Sequence, residues 1–360
     1  MKKLAIYIPS IESGGVEKNL YNISEYFIKK KIEVYIVTAN NKEKFSFNKK
    51  IKFICPRNKN WNNSSRLIKN FICLFLIIVN VPKKNTAIFS FQSNISAIIL
   101  SKILGLKIII RLNTSLNKYV NSYFKKLFFK LVYNMSDKII VNSAKFKIEL
   151  KNILNLNSVK ILNPIDLKKI SKKMKIKFFS NFKGIKIISI GRLTDQKDQI
   201  IILKSLDYLR KKNIRFKLFL IGKGSKLNEL KQYVRNNQLL ESVKFAGYKK
   251  DAFQYIASSD LFVLSSKFEG LPNVLIEAQS QNVPIISSDC ATGPSEILLN
   301  GKLGTLYKVG DYIALSNAII NFYKNKQILK KKANLAKKYL YRFDYKKNLN
   351  KYYNTIKIIL

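Results

Sequence analysis

The chain alternates short apolar runs with stretches of helical periodicity, and this alternation restarts once. The run over residues 4–8 is followed by Val16, Leu20, Ile23 and Phe27 at helical spacing and by a second run over 33–37. Strands alternating with helices predict mostly parallel sheets covered by helices on both faces. We predict further strands at 87–91, 107–111 and 138–141, and a second set at 185–190, 217–221, 243–246, 261–264 and 284–287.

The segment between the two sets of predicted strands defines the domain boundaries. Asn163-Pro164-Ile165-Asp166 leads into the Lys-rich stretch 167–177, where proline interrupts regular structure and a run of charges cannot pack. With 360 residues, the chain is long enough for two α/β cores. We predict an N-terminal domain over 1–165, a linker over 166–182, a C-terminal domain over 183–340, and a helix in 341–360 that can return to the N-terminal domain.

The chain is strongly basic, with 67 Lys and Arg against 21 Asp and Glu and a formal net charge of +46. Such a charge attracts polyanions and anionic bilayers. A/T-rich codon usage explains it equally well, because only eight of the basic residues are Arg and Lys, Asn and Ile are all abundant. The charge is spread over both halves and marks no nucleic-acid-binding module, so no nucleic-acid partner is expected.

Other compositional features bear on compartment. The three cysteines, Cys55, Cys73 and Cys290, are widely spaced and form no metal-finger pattern, which favours a reducing cytosol. The longest apolar stretch, 71–81, falls short of the roughly 20 residues that span a bilayer. We expect a cytoplasmic protein, held at the inner face of the cytoplasmic membrane without crossing it.

The chain contains no histidine and no Asp-x-Asp. Histidine is the commonest general base and a common metal ligand. A Ser-His-Asp hydrolase, a His-based inverting transferase and a zinc enzyme are therefore disfavoured, and no metal site is predicted.

The densest motif is the stretch Ser265 to Ala278, placed where a strand ends and a helix begins. Ligands of doubly wound sheets bind at that edge, and free backbone N–H groups at a helix start favour an anion. Pro272 suits the first helical turn. The N–H groups of Gly270, Leu271, Asn273 and Val274 are expected to face a diphosphate. Glu277, one turn further, has the carboxylate to bind a ribose diol, although an isolated helix glutamate is usually a solvated or salt-bridged one.

Three other segments fit a phosphate-side role. They are Gly14-Gly15, Gly191-Arg192-Leu193 followed by Lys197, and Gly222-Lys223-Gly224. Glycine allows close backbone approach, while tight turns and ordinary surface charge remain the competing explanations.

Taken together, these segments resemble the retaining glycosyltransferases of family 4. That family's signature is two Glu separated by seven residues, matched by Glu269 and Glu277 with Gly270, Pro272 and Ala278. The Gly14, Asn163, Gly191 and Gly222 segments agree with the family in order and spacing. The resemblance implies an α/β GT-B fold, with two Rossmann-like doubly wound domains facing across a cleft.

The resemblance also implies residue roles. Arg192 and Lys197 would neutralise a departing nucleotide diphosphate without metal or other cofactor, and Glu269 would bind hydroxyls of the transferred sugar; these three are the predicted catalytic residues. The predicted nucleotide-sugar contacts are Gly14, Gly15, Gly191, Arg192, Lys197, Gly222, Gly224, Tyr248, Glu269, Gly270, Leu271, Asn273, Val274 and Glu277. Reaction on the front face of the anomeric carbon, with the leaving phosphate accepting the proton, needs no histidine.

The run Gly293 to Leu298 resembles a bacterial subset that uses UDP-hexoses or UDP-N-acetylhexosamines to extend lipid-linked or surface glycans, such as capsule or lipopolysaccharide. A UDP-sugar donor and a glycan or lipid-linked glycan acceptor are therefore expected. Residues 90–92 and 111–113 lie in the regions where acceptor contacts are plausible.

A predicted helix over 118–133 interleaves aromatic and aliphatic residues with Lys118, Lys125, Lys126 and Lys130. A basic face beside an aromatic one suits anionic headgroups. The residues 71–81 could add a shallow apolar contact. A core-facing amphipathic helix is the competing interpretation.

Three other functions fit the sequence less well. A non-enzymatic binder of nucleic acid or acidic surfaces rests on the charge alone. A GT-B-fold sugar-nucleotide epimerase fits the Glu269–Glu277 pair less well, and a dinucleotide oxidoreductase would need a G-x-G-x-x-G motif that Gly14-Gly15 does not supply.

Overall fold

The structure, a computed structural model, describes residues 1–11, 14–40, 47–57, 59–116, 120–166, 182–249 and 251–360. Its chain forms two compact units. The first unit comprises Met1–Pro164 and Tyr345–Leu360, and the second comprises Ile165–Asp344. Most of the predicted linker, residues 167–181, lies outside the described residues.

The first unit is built on a seven-stranded sheet whose neighbouring strands are all parallel, in the order β3-β2-β1-β4-β5-β6-β7. Its strands are nearly continuous apolar runs because helices cover both faces; β4, for example, is buried along its whole length. The strands are β1 (Lys3–Tyr7), β2 (Glu33–Val37), β3 (Lys52–Ile54), β4 (Thr86–Ser90), β5 (Lys107–Leu112), β6 (Lys138–Val141) and β7 (Val159–Lys160).

Five helices connect these strands: α1 (Gly15–Lys29), α2 (Arg66–Asn80), α3 (Asn94–Ile103), α4 (Tyr123–Asn134) and α5 (Ala144–Leu154). The helix α1 packs on one face of the sheet through Leu20, Ile23 and Phe27. Buried residues of α2, α3, α4 and α5 share the core on the opposite face. Serine hydroxyls cap α2, α4 and α5 by accepting a backbone N–H of the first turn. A short 3₁₀ helix, Lys59–Asn63, precedes α2.

The second unit has a six-stranded sheet, also parallel throughout, in the order β10-β9-β8-β11-β12-β13. Its strands are β8 (Ile185–Ile190), β9 (Phe216–Ile221), β10 (Val243–Phe245), β11 (Leu261–Leu264), β12 (Ile285–Ser288) and β13 (Thr305–Tyr307). In both sheets the strand order reverses once, between β1 and β4 and between β8 and β11. Both units therefore have the doubly wound, Rossmann-like topology that the sequence predicted.

The helices of the second unit are α6 (Gln199–Lys211), α7 (Leu227–Asn236), α8 (Phe253–Ala257), α9 (Asn273–Ser280), α10 (Pro294–Ile297), α11 (Tyr312–Lys324) and α12 (Lys326–Lys338), followed by a 3₁₀ helix, Leu340–Phe343. The last helix, α13 (Tyr345–Lys357), belongs to the first unit. Its Leu349, Tyr352 and Ile356 pack into the same core as α1. Among the described residues, no helix combines the length and apolar character needed to cross a membrane.

The structure corrects several sequence-based expectations. The helix predicted from residue 118 begins at Tyr123, because Ser122 is extended and caps it; Lys118 and Tyr119 lie outside the described residues. Pro272 stands just before α9 rather than inside its first turn. The helix predicted within 341–360 begins at Tyr345, after a 3₁₀ helix over Leu340–Phe343. Strands β3, β7 and β13 were not predicted.

Candidate functional site

The residues of the densest sequence motif lie at the carboxyl edge of the second sheet. Ile190 ends β8 and Leu264 ends β11, the two adjacent strands between which the strand order reverses. Open parallel sheets bind ligands at this position, since the loops after the two strands run in opposite directions and leave a crevice. The loops 191–198 and 265–272 therefore lie where a ligand of this sheet is expected.

The loop after β8 is fixed by its own backbone. The N–H groups of Lys197 and Asp198 both donate to the carbonyl of Thr194. Gln199 Nε2 donates to the carbonyl of Arg192 over 2.9 Å. Asp198 has a positive φ of 51°, a strained conformation for a residue with a side chain. This geometry leaves the Arg192 side chain exposed and the Lys197 side chain largely covered.

The loop after β11 is tied to the loop after β8. Lys267 N–H donates to the carbonyl of Gln196 over 2.9 Å, and Gln196 Nε2 donates in return to the carbonyl of Phe268 over 3.0 Å. Ser265 Oγ donates to the carbonyl of Lys197 over 2.8 Å. Because three hydrogen bonds join the two loops, the residues that they carry hold fixed relative positions.

The centre of the site is an ion pair between Lys197 Nζ and Glu269 Oε1. The two side chains are only 16% and 8% exposed, so the pair is shielded from solvent. Ser266 Oγ donates to the same carboxylate oxygen over 2.7 Å. Thr292 Oγ1 donates to the backbone carbonyl of Glu269. The structure thus brings together Lys197 and Glu269, two of the three predicted catalytic residues, and Arg192 lies on the same loop as Lys197.

Glycines allow the chain to pass closely around this pair. The Lys197 stem runs alongside Gly191, where an added Cβ would lie 3.4 Å from Lys197 Cδ. At Gly222 a Cβ would lie 1.9 Å from the carbonyl oxygen of Gly191, and φ is 153°, so only glycine fits. A Cβ at Gly224 would lie 2.1 Å from the carbonyl oxygen of Leu193. The loops after β8 and β9 are therefore in backbone contact.

The start of α9 completes the site on the other side. A Cβ at Gly293, where φ is 85°, would lie 2.1 Å from the carbonyl oxygen of Gly270. This close approach holds Gly270 and Leu271 against the loop after β12. Asn273 and Val274 occupy the first turn of α9, where a helix provides no intrahelical carbonyl for the N–H groups. Glu277 lies in the next turn and is buried.

The remaining predicted contacts are one residue of the second unit and two of the first. Tyr248 is exposed and follows Gly247, whose carbonyl accepts the N–H of Gly222 over 2.9 Å, so it lies beside the loop after β9. Gly14 and Gly15 are in the first unit, where Gly14 precedes and Gly15 begins α1. Both of these glycines are exposed.

Burial changes the protonation behaviour of two groups near the pair. Desolvation raises the pKa of the Asp198 carboxyl, an effect that Lys267 partly offsets from 3.6 Å. Desolvation, followed by the negative charge of Glu269, raises the pKa of the Cys290 thiol to about 12. Cys290 is therefore a neutral, unreactive thiol near neutral pH. In the described part of the chain, no three His, Cys, Asp or Glu residues cluster closely enough to hold a metal ion.

Sequence reasoning missed the hydroxyl groups that orient Glu269. Ser266 stands in the motif Ser265 to Ala278, and Thr292 directly precedes the run Gly293 to Leu298, yet the sequence predicts no role for either. Ser288 supports Ser266 in turn, since its Oγ donates to the Ser266 carbonyl over 2.7 Å. The only signal in the sequence is the position of Ser265 and Ser266 directly after the apolar run of β11.

In the first unit, the region considered for acceptor contacts is a polar network. Arg111 is buried and donates to Tyr352 Oη over 2.9 Å, to Asn163 Oδ1 over 2.8 Å, and to Asn113 Oδ1. Its guanidinium also lies over the ring of Phe91. Arg111 thus joins β5 to α13 inside the unit and is not presented for a ligand.

Two family models match the chain. The model described as "Glycosyltransferase Family 4" matches residues 13–169, and the model described as "Glycosyl transferases group 1" matches residues 171–341. The two matches follow one another along the chain and meet close to the end of the first unit's main segment at Pro164.

Relatives with curated names are glycosyltransferases. An N-acetylgalactosamine-N,N'-diacetylbacillosaminyl-diphospho-undecaprenol 4-alpha-N-acetylgalactosaminyltransferase of Campylobacter jejuni is 25% identical, over 96% of this chain and 96% of that protein. The uncharacterized glycosyltransferase MJ1059 of Methanocaldococcus jannaschii is 35% identical over 46% of this chain, and the match spans only 41% of that longer relative.

Among solved structures, Anabaena Alr3699/HepE in complex with UDP is similar with a TM-score of 0.78 at 19% identity, covering 99% of this chain and 100% of that one. A likeness at this identity concerns the fold, and it confirms the predicted class of two Rossmann-like α/β domains of the GT-B type. With both of its halves matched by the models of this family, the chain belongs to the glycosyltransferases of family 4.

Proposed function

We propose that this glycosyltransferase moves a hexose or N-acetylhexosamine from a UDP-sugar, with retention of anomeric configuration, to a lipid-linked or surface glycan such as capsule or lipopolysaccharide. The transfer is proposed to take place at the cytoplasmic face of the membrane, which the protein contacts peripherally, and to need no metal.

The observation that carries this proposal is the pairing of Lys197 with Glu269 at the switch point of the second sheet. An ammonium group has three donors, so Lys197 can keep its bond to Glu269 while donating to a phosphate oxygen. Arg192, exposed on the same loop, adds a second cation. The positive end of the α9 dipole favours negative charge at the same place. Two cations and a helix start together suit a diphosphate.

In the proposed step, the bond between the anomeric carbon and the β-phosphate oxygen breaks, and its electron pair leaves with UDP. The acceptor hydroxyl oxygen forms a bond to the anomeric carbon on the same face, and its proton passes to the departing phosphate oxygen. Negative charge grows on the diphosphate, where Lys197 and Arg192 stabilise it. Glu269 is placed to accept hydrogen bonds from sugar hydroxyls, and Glu277 from the ribose.

The choice of donor and acceptor draws on the comparisons. The similar Anabaena structure holds UDP, and the Campylobacter relative is named for transfer to a diphospho-undecaprenol-linked glycan. The run Gly293 to Leu298, which begins at the turn holding Gly270, resembles the subset that uses UDP-hexoses and UDP-N-acetylhexosamines. These similarities support a UDP-sugar and a lipid-linked acceptor.

The test is a screen of UDP- and GDP-sugars for hydrolysis and for transfer to lipid-linked acceptors, with and without EDTA. We expect turnover of a UDP-sugar that EDTA leaves unchanged, and a product whose anomeric configuration, read by NMR, matches the donor's. Turnover that stops with EDTA would contradict metal independence, and an inverted product would contradict retention. An epimeric nucleotide sugar formed without an acceptor, with the nucleotide still attached, would identify an epimerase.

Variants then test the site. Lys197→Met, Glu269→Gln and Glu277→Ala should each lower kcat/KM at least about a hundredfold, because each removes a charged contact to the donor. Glu241→Gln, at an exposed glutamate of the same unit, is the matched control and should keep full activity. Normal turnover in folded Glu277→Ala or Lys197→Met protein would defeat the site assignment.

A further inference from the structure

The outer surface of helices α2, α3 and α4 in the first unit is unusually apolar. Cys73 and Ile77 of α2, Ala97 and Ile98 of α3, and Val132 and Tyr133 of α4 pack into one core on one face of the sheet. The helix α3 contacts both α2 and α4. Since the three neighbouring helices face the same sheet, their opposite sides form one outer surface.

The helix α4 is apolar on two sides. Its core side carries Val132 and Tyr133. A second row, spaced three or four residues apart, consists of exposed side chains: Phe124, Leu127, Phe128, Leu131 and, just past the helix end, Met135. Phe124 is 82% exposed. A helix that only covers a core would carry polar residues on that second row.

The helix α2 repeats this arrangement. Cys73 and Ile77 are buried, while exposed apolar side chains lie on the other side of the helix: Leu67, Ile68, Phe71, Phe75, Ile78 and Val79. Phe71 is 70% exposed. Ile99 and Ile103 continue the exposed apolar surface on α3. More than half of the large apolar side chains exposed in the described residues lie on these three helices or directly after them.

The charged residues of the three helices are all basic: Arg66, Lys69, Lys102, Lys125, Lys126 and Lys130. Lys102 pairs with Asp137, which follows α4, over 3.1 Å. Lys125, Lys126 and Lys130 are exposed on α4 between its two apolar sides. Cations beside an exposed apolar row match a bilayer that has anionic headgroups above an apolar interior.

We infer that the surface formed by the exposed residues of α2, α3 and α4, here called the apolar face, docks on an anionic phospholipid bilayer. Its Phe, Leu and Ile side chains enter the acyl boundary while the lysines contact the headgroups. The inference gives a location to the membrane contact of the proposed function and rests on that contact, but on no part of the transfer chemistry.

The composition of the face favours a bilayer over a protein partner. A typical protein–protein interface carries on the order of ten direct hydrogen bonds. The exposed rows of α2 and α3 consist of Leu, Ile, Val and Phe, which offer no hydrogen-bonding side-chain groups. A fluid acyl layer needs none. A second copy of the chain would bring the same basic helices together, with the exposed Lys125, Lys126 and Lys130 of each copy among them, which like-charge repulsion opposes.

The direct test uses single-tryptophan proteins and vesicles with brominated acyl chains, which quench only tryptophan that enters the bilayer. Trp61, the single tryptophan of the chain, is first replaced by phenylalanine. In this Trp61→Phe background, Phe124→Trp reports on the apolar face. Tyr323→Trp, at an exposed position of α11 in the second unit, is the control. Vesicles of phosphatidylglycerol and phosphatidylcholine should quench the tryptophan at 124 and leave that at 323 unquenched.

Co-sedimentation with the same vesicles provides the second measurement. The variant Phe71→Ser/Phe75→Ser/Phe124→Ser/Phe128→Ser should lower the partition coefficient at least about tenfold. Its control is Leu240→Ser/Tyr323→Ser/Ile328→Ser/Tyr341→Ser, four exposed apolar residues of the second unit. Lys125→Glu/Lys126→Glu/Lys130→Glu should weaken binding more than Lys330→Glu/Lys331→Glu/Lys337→Glu, which changes the net charge equally on α12.

Three results would overturn the inference. The first is a folded four-Phe variant that binds anionic vesicles as well as the unchanged protein. The second is quenching at position 323 but not at 124. The third is a dimer of the unchanged protein that the four-Phe variant does not form, which would assign the face to a second copy. No donor or acceptor is present in these assays, so failure here leaves sugar transfer standing, and a failed donor screen leaves the docking surface standing.

Discussion

Glu269 Oε1 accepts hydrogen bonds from both the Lys197 ammonium and the Ser266 hydroxyl. Removing the hydroxyl leaves the ion pair but frees the carboxylate to rotate away from its position. We predict that Ser266→Ala lowers kcat of the proposed transfer about tenfold, the usual effect of losing one hydrogen bond to a charged group. Steady-state kinetics with the identified donor will measure it.

Ser258→Ala is the control for this variant, because the Ser258 hydroxyl donates to the carbonyl of Gln254, one turn back, over 2.7 Å and does not contact Glu269. It should keep kcat unchanged. Both variants should unfold at similar temperatures. If Ser266→Ala changes stability and KM but leaves kcat alone, Ser266 has a structural role and does not position Glu269.

Asp137, a carboxylate that directly precedes β6 in the first unit, is predicted to stabilise the fold through its charge. Burial alone would disfavour its charged form, but the Ile108 N–H at 2.8 Å and Lys102 Nζ at 3.1 Å outweigh burial and lower its pKa. A lowered folded-state pKa contributes stability above the unfolded value, and that stability is lost as pH falls through the folded value. Asp137→Ala should therefore cost about 1–3 kcal/mol at pH 7.

The pH dependence checks the cause. Below pH about 4 the unfolded carboxyl becomes protonated, so the gap between the unchanged protein and Asp137→Ala should shrink as pH falls further. Urea titrations at pH 7, 5 and 3 will show it. A gap that stays constant across these titrations would mean that packing, not charge, makes Asp137 stabilising.

The residues of the ion pair could be predicted from the sequence, and their supports could not. Glu269 and Lys197 each stand in a motif with fixed spacing, and such a motif can be recognised from residues that are close together in the sequence. Ser266 and Thr292 reach Glu269 from a loop turn and from the loop after another strand, so their role depends on tertiary structure. The same holds for Arg111, whose partner Tyr352 is 241 residues away along the chain.

At the scale of secondary structure, the turn at Gly293 controls how the loop after β12 meets the start of α9. Gly293→Ala would place a Cβ 2.1 Å from a backbone oxygen, in a region of φ that side chains disfavour. The Gly270 turn would have to move, and Glu269 with it. We predict a loss of stability of more than about 2 kcal/mol and near-complete loss of donor turnover.

Gly105→Ala separates the two effects, since Gly105 has a φ of 66° but no heavy atom within 4 Å of an added Cβ. It should cost only the strain of positive φ, about 1–2 kcal/mol, and should keep activity. Equal losses in urea unfolding of both variants would show that backbone conformation, not close contact, makes Gly293 necessary.

Periodicity located the long elements and missed the short ones. The runs at 33–37, 138–141, 185–190 and 261–264 coincide with strands in the structure, because buried parallel strands are apolar throughout. The strand β7 has only two residues, both exposed, and β3 is an edge strand of mixed exposure. Such strands exist because a neighbouring strand offers hydrogen bonds, a property that their own residues do not encode.

For the whole molecule, the path of the C-terminal tail is the feature that chain order hides. The helix α13 follows the second unit in sequence yet belongs to the first. Its apolar spacing predicts an amphipathic helix, but spacing cannot say which core receives it. The structure answers this through α13 residues that are completely buried with α1 and β4 residues, Leu349 among them.

This placement predicts a unit-specific effect. Leu349→Ala should destabilise the first unit by about 2–5 kcal/mol, the cost of truncating a fully buried leucine. Hydrogen exchange followed by mass spectrometry should show faster exchange in β1, β2 and β4. Protection in β8, β9 and β11 should stay unchanged, because those strands belong to the other core. Ile358→Ala, at an exposed position in the same tail, should change neither. Loss of protection in the second sheet would show that α13 stabilises that unit as well, and an unaffected first unit would show that the tail contributes little to its core.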